Sequence, residues 1–430
     1  MHIYLNPPRS EWPDILRRPD IDTRQLQAVV KGVLQDVEEN GDEAVRRYEA
    51  QFDHAQLADL AVSDEEIAEA VRQTDDTLRA SLALAHNNIS RFHATQLHAP
   101  TKVETCRGVV CWQKSVGIEK VGLYIPGGTA PLFSTVLMLA VPARIAGCKE
   151  IVLCSPPDRT GHIHPAILCA AYLAGVHKIY KIGGSQAIAA MAFGTESVPK
   201  VDKIFGPGNR FVMEAKQQVS LRGTAIDMPA GPSEVCVVAD ESSQAPFVAA
   251  DLLSQAEHGV DSQVVLVSTS EQKLREVEAE IEIQLSRLPR RETAAKALAN
   301  SSLILVADKE EAADLFNYYA PEHLILSTSD SEALAEKVVN AGSVFIGKWS
   351  CESAGDYASG TNHTLPTHGY ARAYSGLNTD SFCRKITFQH LSEEGILSIG
   401  PAVCTMAAHE QLAAHQQAMQ IRLNALTPNT

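Results

Sequence analysis

The chain has 430 residues, 45% apolar and 21% charged, which is enough to bury large cores and, at about 150 residues per domain, suggests two or three domains. Thirty-seven basic against 52 acidic residues leave a net charge of −15, which disfavours nucleic acid and anionic membranes as partners. Residues 1–20 mix Arg, Asp and Pro with no apolar run, and the richest apolar stretch, 136–141, meets Pro142 and Arg144, so neither a secretory signal nor a membrane span is expected.

From Arg24 to Gln96 charged and apolar positions alternate at helical spacing, and Ser63-x-x-Glu66 reads as a capping box, so the opening quarter is predicted helical after a short N-terminal arm (1–20). From Val121 the texture changes to short β-branched runs, VGLYIP, EIVLC, KIYKIG and DKIFG, with helical stretches between them. A second series begins at EVCVVAD and continues through QVVLVS, LILVAD, HLILS and SVFIG. This alternation predicts an α/β protein of two Rossmann-like modules with parallel sheets, a helical N-terminal region and a C-terminal helical tail from about Ala402. The Pro/Gly-rich DMPAGP marks the crossing between modules, and the Gly/Ser/Thr/His-rich stretch 347–376 is long enough to be a functional loop.

Four turns stand out: Gly127-Gly128, Gly183-Gly184-Ser185-Gln186, Gly206-Pro207-Gly208-Asn209 and Ala230-Gly231-Pro232-Ser233. At the carboxyl ends of parallel strands such turns offer free N–H groups to a dinucleotide. None completes Gly-x-Gly-x-x-Gly, since Phe211 stands where the third Gly belongs, and singly such turns are more often structural. Their recurrence in one module favours a cofactor.

Gln255 and His258 lie three apart in LLSQAEHG, on one face of a helix expected to end at Gly259, and could grip one ion, although a helix-terminal His is more often a cap. Asp356, between Gly355 and Gly360, reads equally as a ligand or an Asx-turn. His409, Glu410 and His415 do not form the His-Glu-x-x-His of zinc peptidases, which argues against a metallohydrolase. On one ideal helix Glu410 and His415 would stand about 140° apart. Glu322-His323 after Pro321 pairs a carboxylate with an imidazole, a combination suited to acid–base work. Nine scattered cysteines without a Cys-x-x-Cys fit a reducing cytoplasm and packing roles rather than disulfides or a thiolate metal site.

VGLYIPGG, FSTVLMLAVPARIAGC, GGSQAIAAMAFGTESVPKVDKIFGPGN, IDMPAGPSEV, DLLSQAEHG, PEHLI and ESAGDYASGTNHTLPT, in that order, resemble the hallmark blocks of the histidinol dehydrogenase family. The resemblance implies one zinc per subunit on Gln255, His258, Asp356 and His415, catalysis by Glu322 and His323, and NAD contacts at Tyr124, Gln186 and Asn209. It implies substrate contacts at Ser233 and Glu410 besides Gln255, His258, His323, Asp356 and His415. It also implies a cytoplasmic homodimer with a shared active site, in which the C-terminal helix crosses to the other subunit. The substrate implied is L-histidinol, oxidised twice to L-histidine at the close of histidine biosynthesis. The alternative within the same superfamily is another amino alcohol or diol, with Ser233, Glu410 and His363 deciding. The expected organisation is an arm (1–20), a discontinuous domain (21–117 and 234–378) carrying most zinc and catalytic residues, an NAD-binding domain (118–233) and a C-terminal helical tail (379–430).

Overall fold

A computed structural model describes residues 1–19, 24–127, 130–229 and 231–426. In chain order the strands are β1 (His2–Leu5), β2 (Lys102–Cys106), β3 (Val109–Gly117), β4 (Lys120–Tyr124), β5 (Glu150–Ser155), β6 (Lys178–Lys181), β7 (Lys203–Phe205), β8 (Ala225–Ile226), β9 (Glu234–Ala239), β10 (Gln263–Ser268), β11 (Ser302–Leu305), β12 (His323–Ser327), β13 (Ser343–Ile346) and β14 (Cys383–Leu391). Two parallel sheets form the body, ordered β6-β5-β4-β7-β8 and β1-β11-β10-β9-β12-β13. Apart from β1, both follow the 3-2-1-4-5 order of half a doubly wound fold. Their strands are continuous apolar runs because helices cover both faces: every residue of β9 and β10 is buried.

The predicted strands of both series are present, and so is the Ser63 capping box, which opens the helix Asp64–Gln73. The helical opening quarter also forms, but it packs on the first module rather than joining 234–378. Val30, Leu34 and Val45 of the helix Arg24–Tyr48 bury against Tyr124 and Val152, while Ile67, Leu82 and Ile89 of the next two helices bury against Val121 and Leu123. The first sheet needs a cover on each face, and the nearest chain provides it.

Three local expectations are corrected. The arm is not free: β1 pairs in parallel with β11, and Trp12, Ile15 and Leu16 enter the core behind β9 and β12. The stretch assigned to a helical tail starts with β14, which pairs antiparallel with β3 in a three-stranded sheet ordered β14-β3-β2. The C-terminal helix is two helices, Glu393–His409 and Ala413–Leu426, broken where Gln411 takes a left-handed φ of 61°. The 140° separation of Glu410 and His415 therefore does not apply. Among the described residues, no helix is long and apolar enough to cross a membrane.

Candidate active site

The polar groups of the second module gather at the amino-terminal edge of its sheet. His323 is the first residue of β12 and lies in register with Val235 of β9, so Glu322 stands beside Glu234, and Ser233 immediately precedes β9. Gln255 reaches this edge from the last turn of the helix Ala245–Ala256, where its Nε2 donates to Glu322 Oε2 at 3.2 Å and lies 3.4 Å from His323 Nδ1. Glu322 Oε2 also accepts from the Glu234 N–H at 3.0 Å, and Glu322 and His323 are both buried. The helix ends at Ala256, so His258 lies beyond it in a turn closed by its N–H on Gln255 O, and the shared helical face expected of Gln255 and His258 does not exist. The last turn has tightened, as helix ends often do.

Asp356 is not in an Asx-turn. It sits in the short helix Glu352–Tyr357 that follows β13, with its Oδ1 3.4 Å from His323 Nε2. Gly355 is needed there because a Cβ would stand 2.6 Å from Phe345 Cε1, and the helix could not lie so close to β13. One turn earlier, Glu352 is 1% exposed and its Oε2 finds no partner, a site residue missed in the sequence although its i, i+4 spacing from Asp356 was visible. One ligand atom each from His258, Glu352 and Asp356 lie within 4.8 Å of one another.

Burial pushes Glu322 and Glu352 up to about 8. Burial works to lower the His323 imidazole, but Glu322, Glu352 and Asp356 around it prevail and hold it at about 10. Asp356 is raised by burial yet ends below the usual carboxylate range, because His323, His363 and His258 favour its charged form. Two segments, the one entering β12 and the short helix Glu352–Tyr357, thus set three acids around one imidazole in a dry place, where a bound cation would favour their charged forms. Gln255 Oε1, Glu352 Oε2 and Asp356 Oδ1 are buried without hydrogen-bond partners, and with the His258 ring they make a nitrogen and oxygen donor set that fits zinc.

His363 has both ring nitrogens engaged, Nδ1 with Asp356 O at 2.9 Å and Nε2 with Thr135 Oγ1 at 3.1 Å, and so ties this cluster to the helix Phe133–Ala146 of the first module. His415 is not among the groups clustered around Asp356, and both it and Glu410 are exposed on the C-terminal helical pair, which packs on itself and against β14.

A cavity of about 1260 Å³ opens at the carboxyl end of the first sheet and collects Tyr124, Gln186 and Asn209. Tyr124 closes β4 and its hydroxyl accepts from the Gly184 N–H at 3.1 Å; Gln186 follows β6; Asn209 caps the helix Arg210–Ser220 by accepting from Phe211 and Val212. The turn before Asn209 is fixed by the buried pair Lys216–Asp227 at 2.5 Å, since Lys216 donates to Gly206 O and Asp227 accepts from Gly206 N–H. Gly128 and Ala230, members of two expected turns, lie outside the described residues.

Residues 16–423 match the family model described as histidinol dehydrogenase. Histidinol dehydrogenase of Bacteroides thetaiotaomicron is 61% identical over 426 residues, 99% of this chain and all of that protein. The Escherichia coli K12 histidinol dehydrogenase is 53% identical over 96% of this chain and 95% of its own length. A crystal structure of histidinol dehydrogenase from Elizabethkingia anophelis superposes with a TM-score of 0.98 at 52% identity, covering 99% of both chains. With relatives of this identity along nearly its whole length, the chain belongs to the histidinol dehydrogenase family, oxidoreductases of histidine biosynthesis.

Proposed function

We propose that the protein oxidises L-histidinol to L-histidine in two NAD-linked steps at one zinc-bearing site per subunit. The observation that carries this reading is the cluster of His258, Glu352 and Asp356, whose ligand atoms lie within 4.8 Å of one another, with Gln255 Oε1, Glu352 Oε2 and Asp356 Oδ1 buried without hydrogen-bond partners. Gln255, His258, Glu352 and Asp356 would hold the zinc, which would supply a positive anchor for the substrate's nitrogen groups. Tyr124, Gln186 and Asn209 would hold NAD, which would supply the hydride acceptor.

The protein's own groups handle the protons: a cation bound beside them would lower both Glu322 and His323 and leave each in its proton-accepting form. His323 takes the hydroxyl proton as the first hydride leaves the alcohol carbon, giving the aldehyde. Glu322, hydrogen-bonded to Gln255 and the Glu234 N–H, accepts a proton from water as it adds to that aldehyde. His323 then takes a hydroxyl proton of the hydrate as the second hydride leaves. Two NAD⁺ and one water enter; two NADH, three protons and the amino acid leave. Ser233 stands at the same sheet edge, where it would touch the substrate.

A further ligand, His415, and the substrate contact Glu410 come in this reading from a second copy of the chain. Exposed apolar residues on the same helical pair, Leu397, Met406, Leu412 and Ile421, support it, since such a surface calls for a cover. The enzyme would work as a cytoplasmic homodimer.

The test counts NADH formed per L-histidinol with excess NAD⁺, before and after chelation and zinc restoration. Two NADH, lost with chelator and restored by zinc, is the expected result. One NADH would remove the role given to Glu322, and none would transfer the activity to another alcohol. Mixing inactive His323→Ala and His415→Ala subunits should restore part of the activity, because one of the two mixed sites is then intact.

A further inference from the structure

The floor of the large cavity carries acids where a phosphate-binding turn would carry free amides. The segment Glu49–Asp53 is a π-helical turn, ended by His54 at a φ of 58°, and it pushes Glu49 under the turn that follows β6. Glu49 is fully buried; its Oε1 accepts from the Gly183 N–H at 2.9 Å and from Gln186 Nε2 at 2.8 Å. The Gly184 N–H is taken by the Tyr124 hydroxyl. Two of the amides at this helix start, those of Gly183 and Gly184, are therefore already occupied.

What remains unsatisfied is acceptor capacity. Gln186 is fully buried and lines the cavity, yet its Oε1 has no partner. Asp53 lines the same cavity, and a Cβ on Gly183 would come within 3.1 Å of its Oδ2. Acceptors without donors call for a ligand that brings its own hydroxyl hydrogens. Burial and the neighbouring Asp53 push Glu49 up; burial raises Asp53 as well, but its hydrogen bond with Glu49 works the other way and favours the charged form of Asp53.

We infer that Asp53, braced by Glu49, receives the 2′- and 3′-hydroxyls of the cofactor's adenosine ribose and excludes a 2′-phosphate, making it the residue that selects NAD over its phosphorylated form. The inference rests on the NAD-linked reading above and names the specificity element of that site. A carboxylate accepts well from a vicinal diol, whereas a dianionic phosphate beside it meets like charge.

The zinc-loaded enzyme with saturating L-histidinol is assayed with NAD⁺, 2′-deoxy-NAD⁺ and NADP⁺. In the unaltered enzyme the deoxy analogue should raise KM at least about tenfold, the size of one lost charge-assisted hydrogen bond. In Asp53→Asn that difference should shrink to within about threefold, while the ratio of kcat/KM for NADP⁺ over NAD⁺ rises by about tenfold or more, chiefly through KM. Equal KM for NAD⁺ and its deoxy analogue in the unaltered enzyme overturns the inference even if the variant does not fold. An unchanged NADP⁺/NAD⁺ ratio in a folded variant overturns it as well. Absence of any NAD⁺ reduction by the unaltered enzyme would sink both this inference and the cofactor reading, which separates the two failures.

Discussion

The two parallel sheets share a strand order but use opposite edges. In the first, Tyr124, Gln186 and Asn209 line a cavity beyond the carboxyl ends of the strands, where a doubly wound fold opens a crevice between the strands at which the order reverses. In the second, the corresponding crevice between β9 and β12 is closed by its own hydrogen bonds. Asp240, just past β9, accepts from Ser329 and Ser242, and Ser243 reaches the carbonyl of Ser327 at the end of β12. The buried acids and the imidazole gather instead at the amino edge, on Glu322 and His323 and on the helix ends that return there. Strand order dictates how the layers pack; the polar residues at strand and helix ends decide which edge does chemistry.

The largest effect that could break this division is on turnover. His323→Ala should lower kcat about a thousandfold, the usual worth of a positioned general base, while NADH affinity followed by fluorescence stays unchanged. A parallel loss of NADH affinity would mean that the two edges are not separate in function. Next comes the frame of the large cavity. Lys216→Met leaves Asp227 buried without its partner and should cost about 3–5 kcal/mol in denaturant unfolding. Loss below about 1 kcal/mol would show that the turn holding Asn209 does not depend on that pair.

Gly355→Ala sharpens the account of the amino edge. The added Cβ meets the Phe345 ring, so a loss of about 1–3 kcal/mol is expected, together with weaker zinc retention on native mass spectrometry because Asp356 moves with its helix. The smallest effect belongs to the closed crevice. Hydrogen bonds from Ser242 and Ser329 hold Asp240 at about 2 against burial, so this carboxylate contributes stability that is full above its unfolded value of 3.8 and is lost as pH falls towards 2. Asp240→Asn should therefore cost about 1–2 kcal/mol at pH 7 and flatten the acid limb of the stability profile, with kcat unchanged. A fall in kcat would give this edge a part in the reaction.

Both series of parallel strands were legible because a strand covered on two faces must be apolar at every position, as EVCVVA and QVVLVS are. The residues named for chemistry were legible too: Glu322, His323, Gln255 and Asp356 do meet at one place. What escaped was structure whose signal is not local. HIYL and CRKITFQHL are strands through pairing with distant segments, β14 being exposed along most of its length, and nothing in their own sequence requires it. No Gly or Pro announces the break at Gln411.

The sequence by itself determined the layers, since periodicity and side-chain branching act within a few residues and specify which faces must be dry. Only the tertiary structure decided that Glu352 joins His258 and Asp356, that Glu49 occupies the amides of the Gly183 turn, and that the helical first quarter covers the first sheet. Those outcomes depend on where buried polar atoms find partners across tens to hundreds of residues, a balance struck only once the apolar cores have brought them together.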